Sequence, residues 1–144
     1  MSTFKFRLQN VIDVRTRQEQ YTKREIARIA STRSREEAKL AQLQRKREVH
    51  RNEAGKKQRV SAAEMQTDWT YLSHLTKEIE HQGKKISIIL DQENLKREEL
   101  LKTNQSKQML ETLKEKKYEE YKKDVEKKDQ TVMDNIAQRL GSGH

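Results

Sequence analysis

An all-α fold is predicted, a long antiparallel two-helix coiled coil (a helical hairpin) whose second helix overhangs the first at the C-terminal end. Three observations predict it. Apolar residues within 61–140 recur at alternating steps of four and three, which keeps one narrow stripe facing a partner helix. The chain has no Pro and only four Gly, so little interrupts a helix. At 31% hydrophobic and 38% charged residues it is too poor in apolar side chains to fill a globular core.

Helix two is expected over about 61–140. Ser61-Ala62-Ala63-Glu64 is a capping box, in which Ser61 accepts from the Glu64 amide and the Glu64 side chain reaches back. Met65, Trp69, Leu72, Ile79, Ile86, Leu90 and Leu100 then form the seam, with Thr76, Gly83, Glu93 and Arg97 as its polar occupants. Eighty helical residues would span roughly 120 Å, so the expected molecule is elongated. Glu or Asp four residues ahead of a base, as in Glu80/Lys84, Glu93/Arg97 and Glu98/Lys102, adds about 0.2–0.5 kcal/mol per pair toward helix and away from disorder.

Helix one is expected over about 4–52, capped by Ser2 or Thr3. Its seam is weaker: Leu8 and Val11 open it, Arg15, Gln18 and Thr22 follow, and Ile26, Ile29, Leu40 and Leu43 continue it among Arg33, Glu36, Arg47 and His50. The phase slips by one residue between Thr22 and Ile26, as a stutter would. Residues 53–60 are the break, with Gly55 placed for a left-handed C-terminal cap. A short connection makes the helices antiparallel neighbours, residue i facing roughly 114 − i, so that Phe4 meets about residue 110. The whole chain then reads as a single helical hairpin, a monomer in isolation.

This register leaves residues from about 111 to 140 without a partner in the chain. Leu113, Tyr121, Val125, Val132, Met133, Ile136 and Leu140 nevertheless make that overhang apolar on one side, which suggests a second molecule, the alternative being a helix that bends back or self-associates. Arg7, Arg15, Arg17 and Arg139 are expected at the same end. Near the turn, Tyr71, Leu75, Glu78 and Gln82 run one position behind the seam. They either widen the seam or form a partly exposed docking stripe.

Charge divides the chain. Residues 1–60 hold 17 Lys+Arg against 7 Asp+Glu, and residues 61–144 hold 15 against 16, within an overall charge of +9. Two readings stand: a basic helix paired with a near-neutral one, or a positive stripe that meets an acidic surface. With no Cys, disulfides and thiolate chemistry are excluded. No apolar run reaches the ~18 residues of a membrane helix, and no apolar h-region opens the sequence; the cytoplasm is the expected compartment. Phosphate-binding loops, zinc-protease motifs and nucleophile elbows are missing, and His50, His74, His81 and His144 have no third ligand beside them. A two-helix hairpin offers no water-excluding cleft, so no enzyme, cofactor or metal site is expected.

The segment Phe4-Lys5-Phe6-Arg7-Leu8-Gln9-Asn10-Val11-Ile12-Asp13-Val14-Arg15 resembles the N-terminal signature of the FliJ family, stalk proteins of the bacterial flagellar type III export apparatus. The resemblance continues through Trp69-Thr70-Tyr71-Leu72 into Leu75-Thr76-Lys77-Glu78-Ile79-Glu80-His81-Gln82, and returns at Met133-Asp134-Asn135-Ile136-Ala137-Gln138-Arg139. It implies an antiparallel coiled coil similar to the central stalk of rotary ATPases. Such a protein inserts its free end into the hexameric export ATPase and promotes assembly of the ring. It also docks on the large cytoplasmic domain of the export gate, binds export chaperones, and meets the membrane only peripherally through the gate. On this resemblance Leu43, Tyr71, Leu75 and Gln82 are gate-docking residues, while Lys46 and His50 stand where the family can carry aromatic residues. Arg7, Arg15, Arg17, Val125, Val132, Ile136, Arg139 and Leu140 are the expected ring-binding residues. A nucleic-acid-binding protein using the Arg-rich first helix, or a purely structural coiled coil, is the alternative; aromatics interleaved with the basic residues, which the first would use, are missing.

Overall fold

The computed structural model describes residues 3–142, so the expected cap Ser2 and the tail residues Gly143 and His144 lie outside the described residues. Two long helices pack against each other, and no strand occurs among the described residues. The fold is an all-α helical hairpin. Helix α1 is Gln9–Lys56 and helix α2 is Ala62–Gly141.

Both ends of α1 lie later than the sequence suggests. Thr3 caps nothing, because helix begins only at Gln9, after a turn closed from Gln9 N–H to Phe6 C=O at 3.1 Å. The ring of Phe4 instead meets Tyr118 edge-on at 5.4 Å and Tyr121 at 5.6 Å. Aromatic pairs contribute about 0.5–1.5 kcal/mol beyond burial, more than a first helical turn offers on its own. At the other end α1 runs through Gly55, and no described glycine has positive φ. The helix closes through Lys57 N–H to Ala54 C=O at 3.4 Å, so the left-handed cap expected at Gly55 is not used. The turn is therefore residues 57–61 rather than 53–60. Ser61 behaves as read: its Oγ accepts the Glu64 amide at 3.1 Å and starts α2.

The chain divides into two compact units, Met1–Gln20 with Leu101–His144, and Tyr21–Leu100. In Tyr21–Leu100, the buried and half-buried residues of α1 step from Thr22 through Ile26, Ile29, Arg33, Glu36, Leu40, Leu43, Arg47 and His50 to Ala54. Those of α2 step from Asp68 through Leu72, Leu75, Ile79, Gln82, Ile86, Ile89, Glu93 and Lys96 to Leu100, with Ser73, Thr76 and Gly83 half-buried beside the ladder. Each is an unbroken ladder of threes and fours. The stutter at Thr22–Ile26 does not exist, because the buried residue of the preceding turn is Ile12 rather than Val11, and half-buried Glu19 replaces Gln18. On α2 the expected seam had one rung right and one wrong. Leu72, Ile79, Ile86, Glu93 and Leu100 belong to it, but Leu75, Gln82, Ile89 and Lys96 fill the other rung in place of Thr76, Gly83, Leu90 and Arg97. Leu and Ile at 75 and 89 bury more apolar surface than Thr and Gly at 76 and 83 can. Trp69, 66% exposed, and Met65 are consequently outside the seam.

Pairing also shifts. Facing residue numbers sum to between 118, for His50 with Asp68, and 126, for Arg33 with Glu93, instead of 114. The later turn, centred near residue 59 instead of 57, accounts for the smallest of these shifts, and long side chains such as Arg33 reach further along α2 for the rest. In the unit of Met1–Gln20 with Leu101–His144, Glu19 reaches Lys107 at 3.4 Å and Phe4 reaches Tyr118 and Tyr121. Every described residue after Tyr121 is exposed, so the overhang begins there and not at residue 111. Leu113 and Tyr121 belong to a groove shared with Phe4, Phe6 and Leu8.

Candidate docking surfaces

Beside the turn, within Tyr21–Leu100, Tyr71 packs on His50 with ring centroids 4.6 Å apart and stays 41% exposed. Behind His50 lies Asp68, whose Oδ1 is 3.1 Å from His50 Nε2 and whose Oδ2 is 3.8 Å from Lys57 Nζ. Thus the imidazole of His50 takes the ring-packing place that an aromatic residue could fill. On one side of this pair lies an open groove of about 590 Å³ lined by Lys46, Val49, His50 and Tyr71 among others. A second groove, of about 510 Å³, has Leu43 in its floor and Lys39, Lys46 and Lys77 on its rims. Glu78 is the groove's one carboxylate, 2.9 Å from His74, against three lysines, so the lining is net cationic.

Of the four expected gate-docking residues the structure brings Leu43 and Tyr71 to this surface and withdraws the other two. Leu75 is 3% exposed and sits in the seam. Gln82 is buried, donating from Nε2 to the Glu36 carbonyl at 3.0 Å and to Glu36 Oε2 at 2.5 Å. The expectation that this stripe is partly exposed is therefore corrected for Leu75 and Gln82. They occupy the second seam rung, for the packing reason given above. Gln82 keeps an edge on the Leu43 groove, but its amide is committed to Glu36.

The C-terminal stripe lies within the other unit. Val125, Val132, Met133, Ile136 and Leu140 are all exposed. Continuing the hairpin ladder past Tyr121 would place Asp124, Lys128, Thr131, Asn135 and Gln138 on the seam, all polar. The apolar residues follow another phase: Val125, Val132 and Ile136 each stand one residue after a rung of that ladder, and Leu140 two residues after Gln138. This stripe therefore runs beside the extended hairpin seam and not along it. Among the expected cationic partners, Arg7 lines the groove with Tyr121 and Asp124, Arg15 bonds Gln18 at 3.2 Å, and Arg17 is exposed. Arg139 does not join them. It lies fifteen residues beyond Asp124 on the same helix, roughly 22 Å further along.

The family model described as Flagellar FliJ protein matches residues 4–144, essentially the whole chain. The chain belongs to the FliJ family. No curated protein and no solved structure gives a significant match. Membership gives this chain a role in flagellar export, as a component of a non-catalytic family. Among the described residues no helix is long and apolar enough to cross a membrane, and no cluster of three or more His, Cys, Asp or Glu is arranged to hold a metal ion.

Two polar layers inside this FliJ-family hairpin escaped the sequence reading as partners, although Glu36, Arg33 and Glu93 were placed on the seams. Arg33 Nε donates to Glu93 Oε2 at 2.7 Å, and Arg97 donates to the other oxygen at 2.8 Å. Glu36 accepts from Gln82 and Lys39, with Lys85 at 3.5 Å. The hydrogen bond from Arg33, then that from Arg97, holds the Glu93 carboxyl below the ordinary carboxylate range. For Glu36 the main cause is Gln82, and for Glu25 it is Lys96, 3.0 Å away. The available signal was the charged residues on each seam, Arg15, Arg33, Glu36 and Arg47 against Glu93 and Arg97, but pairing them needed the correct register.

Proposed function

We propose that this FliJ-family chain is a non-enzymatic stalk of the flagellar type III export apparatus. Its C-terminal stripe enters the ring of the hexameric export ATPase and promotes assembly and activity of that ring. The surface of Leu43, Tyr71, His50 and Lys46 docks on the large cytoplasmic domain of the export gate, and export chaperones bind the same stalk. The chain works in the cytoplasm at the flagellar base, as a monomer that reaches the membrane only through the gate. The observation that carries the reading is the exposed stripe of Val125, Val132, Ile136 and Leu140, apolar yet out of phase with the hairpin seam. Apolar contact supplies affinity, while Arg7, Arg15 and Arg17 steer approach in a salt-dependent way.

The deciding experiment is ATP hydrolysis by the export ATPase with added full-length chain or with a chain ending at Asp124. That truncation keeps Tyr118 and Tyr121 under Phe4, so the hairpin should fold. Loss of stimulation is expected; full stimulation by the truncated chain would sink the reading.

A further inference from the structure

The excess of basic residues in the first helix is not spent on the second. Between Tyr21 and Arg47 the carboxylates of α1 are Glu25, Glu36 and Glu37, and all three lie on the seam or its flanks. Glu25 pairs with Lys96 at 3.0 Å, Glu36 with Lys85 at 3.5 Å, and Glu37 with Arg33 at 3.1 Å. The side of α1 away from the seam carries Arg24 and Arg45, with Arg28 and Arg35 on its flank, where they also line a groove with Ile89 and Gln92 of α2, and no carboxylate stands there before Glu48. All four are exposed. Arg28 touches an acid only loosely, Glu25 at 3.8 Å, and Arg35 bonds the Thr32 hydroxyl at 3.4 Å. Arg24 and Arg45 take part in no ion pair among the described residues.

Between these arginines the same face carries only short side chains along its centre: Ala27, Ser31, Ser34, Ala38 and Ala41. They follow one another at steps of four, three, four and three, the spacing at which one helix meets another. Arg24 and Arg45 close the row at its ends, and Arg28 and Arg35, seven residues apart, stand along one side. The row spans roughly 31 Å of helix. Short side chains let a second backbone come close, and fixed guanidinium forks favour carboxylates on it.

We propose that this outward face of α1 is a docking site for an acidic α-helix of a partner protein, one presenting Glu or Asp at heptad spacing beside a small-residue seam. Charge complementarity selects that occupant. A bilayer is disfavoured because no large apolar side chain stands on this face between Tyr21 and Val49 to enter it. A duplex is disfavoured because a straight row this long leaves the curved phosphate backbone after a turn or so, and no aromatic lies among the arginines for a single strand to stack on. The site meets the turn surface at Arg45, which also lines the groove of Lys46, Val49, His50 and Tyr71, but Arg28, Ser34, Arg35 and Ala38, which the test changes, lie outside that groove, so the proposal stands or falls independently of the stalk reading.

The test uses the full chain and four probes. One is a labelled designed helix of about four heptads with Ala on its contact stripe and Glu every seven residues beside it. The others are a scrambled peptide of the same composition, a short DNA duplex, and vesicles containing anionic lipid. Fluorescence anisotropy, or co-sedimentation for the vesicles, reads binding. At least tenfold tighter binding of the patterned helix than of the scrambled peptide is expected. Arg28→Glu with Arg35→Glu should abolish it. Ser34→Leu with Ala38→Leu should weaken it more than fivefold with every charge in place. Because these residues are exposed, circular dichroism should not change. Equal binding of patterned and scrambled peptides, indifference to the Leu variant, or preference for duplex or vesicles would each overturn the proposal.

Discussion

Arg33 and Glu93 face each other across the hairpin, Nε to Oε2 at 2.7 Å, with the carboxylate almost wholly removed from solvent. Truncating one partner strands the other, so Arg33→Ala should lower the melting temperature clearly more than Arg97→Ala, whose guanidinium is largely exposed. Thermal melts of the two variants followed by circular dichroism check the order. Equal shifts would mean that the seam carries no penalty for the unpaired carboxylate.

Acid should loosen the same layers. Glu93, Glu36 and Glu25 are all held below the ordinary carboxylate range, chiefly by Arg33, Gln82 and Lys96 respectively. Folding therefore favours their ionised forms. Their contribution is fully present above the ordinary carboxylate range and is lost as pH falls through their depressed values. A melting temperature flat near neutrality and falling in acid is expected, and Glu93→Gln should both lower the plateau and shrink the acid loss. An unchanged acid loss in that variant would show that Glu93 is not a source of it.

Leu75 and Tyr71 separate packing from docking. Leu75→Ala should cost about 2–3 kcal/mol, below the upper part of the core range because a two-helix seam stays partly wet. Tyr71→Ala should cost about 1 kcal/mol or less, mostly the contact with His50. Urea unfolding measures both. Binding to the export gate domain should weaken in Tyr71→Ala at unchanged helicity; a Tyr71 variant that unfolds like the Leu75 one would place the tyrosine in the core.

Much of the hairpin was legible because helix propensity and spacing act locally. The absence of Pro, the Ser61 cap and the shared rung of Leu72, Ile79, Ile86, Glu93 and Leu100 all follow from residues a few positions apart. The second rung was not, since Thr76, Gly83 and Leu90 repeat with the same seven-residue period as Leu75, Gln82 and Ile89. Only the partner helix decides between them, by burying Leu75 and by giving Gln82 a carboxylate to bond. The turn failed for a related reason: Gly55 offers a left-handed cap but does not compel one, and a helix that keeps its partner for another turn has no cause to stop. Once the turn moved, register and overhang moved with it.

The non-helical residues before Gln9 are held by rings. Phe4→Ala removes the contacts to Tyr118 and Tyr121, at about 1–2 kcal/mol locally. Amide exchange should accelerate at the start of α1 and near residues 118–121, while the seam around Ile86 keeps its protection. Uniform acceleration along both helices would instead make Phe4 part of one cooperative unit with that seam.

Val132 and Ile136 test the C-terminal stripe without shortening the chain. Both are exposed and lie on the stripe that is out of phase with the hairpin seam. Val132→Asp with Ile136→Asp should leave helicity and melting temperature within a small margin, because surface changes rarely exceed ±0.5 kcal/mol. If the stripe is the apolar contact with the export ATPase, two carboxylates set into that contact must be desolvated without partners, which costs several kcal/mol. Stimulation of ATP hydrolysis should then fall at least tenfold, and high salt should not restore it, since the lost term is apolar. Charge reversal at Arg15 and Arg17 should behave oppositely, slowing association at low salt and hardly at all at high salt. Wild-type stimulation by the double-Asp chain, at unchanged helicity, would remove Val132 and Ile136 from the ring contact.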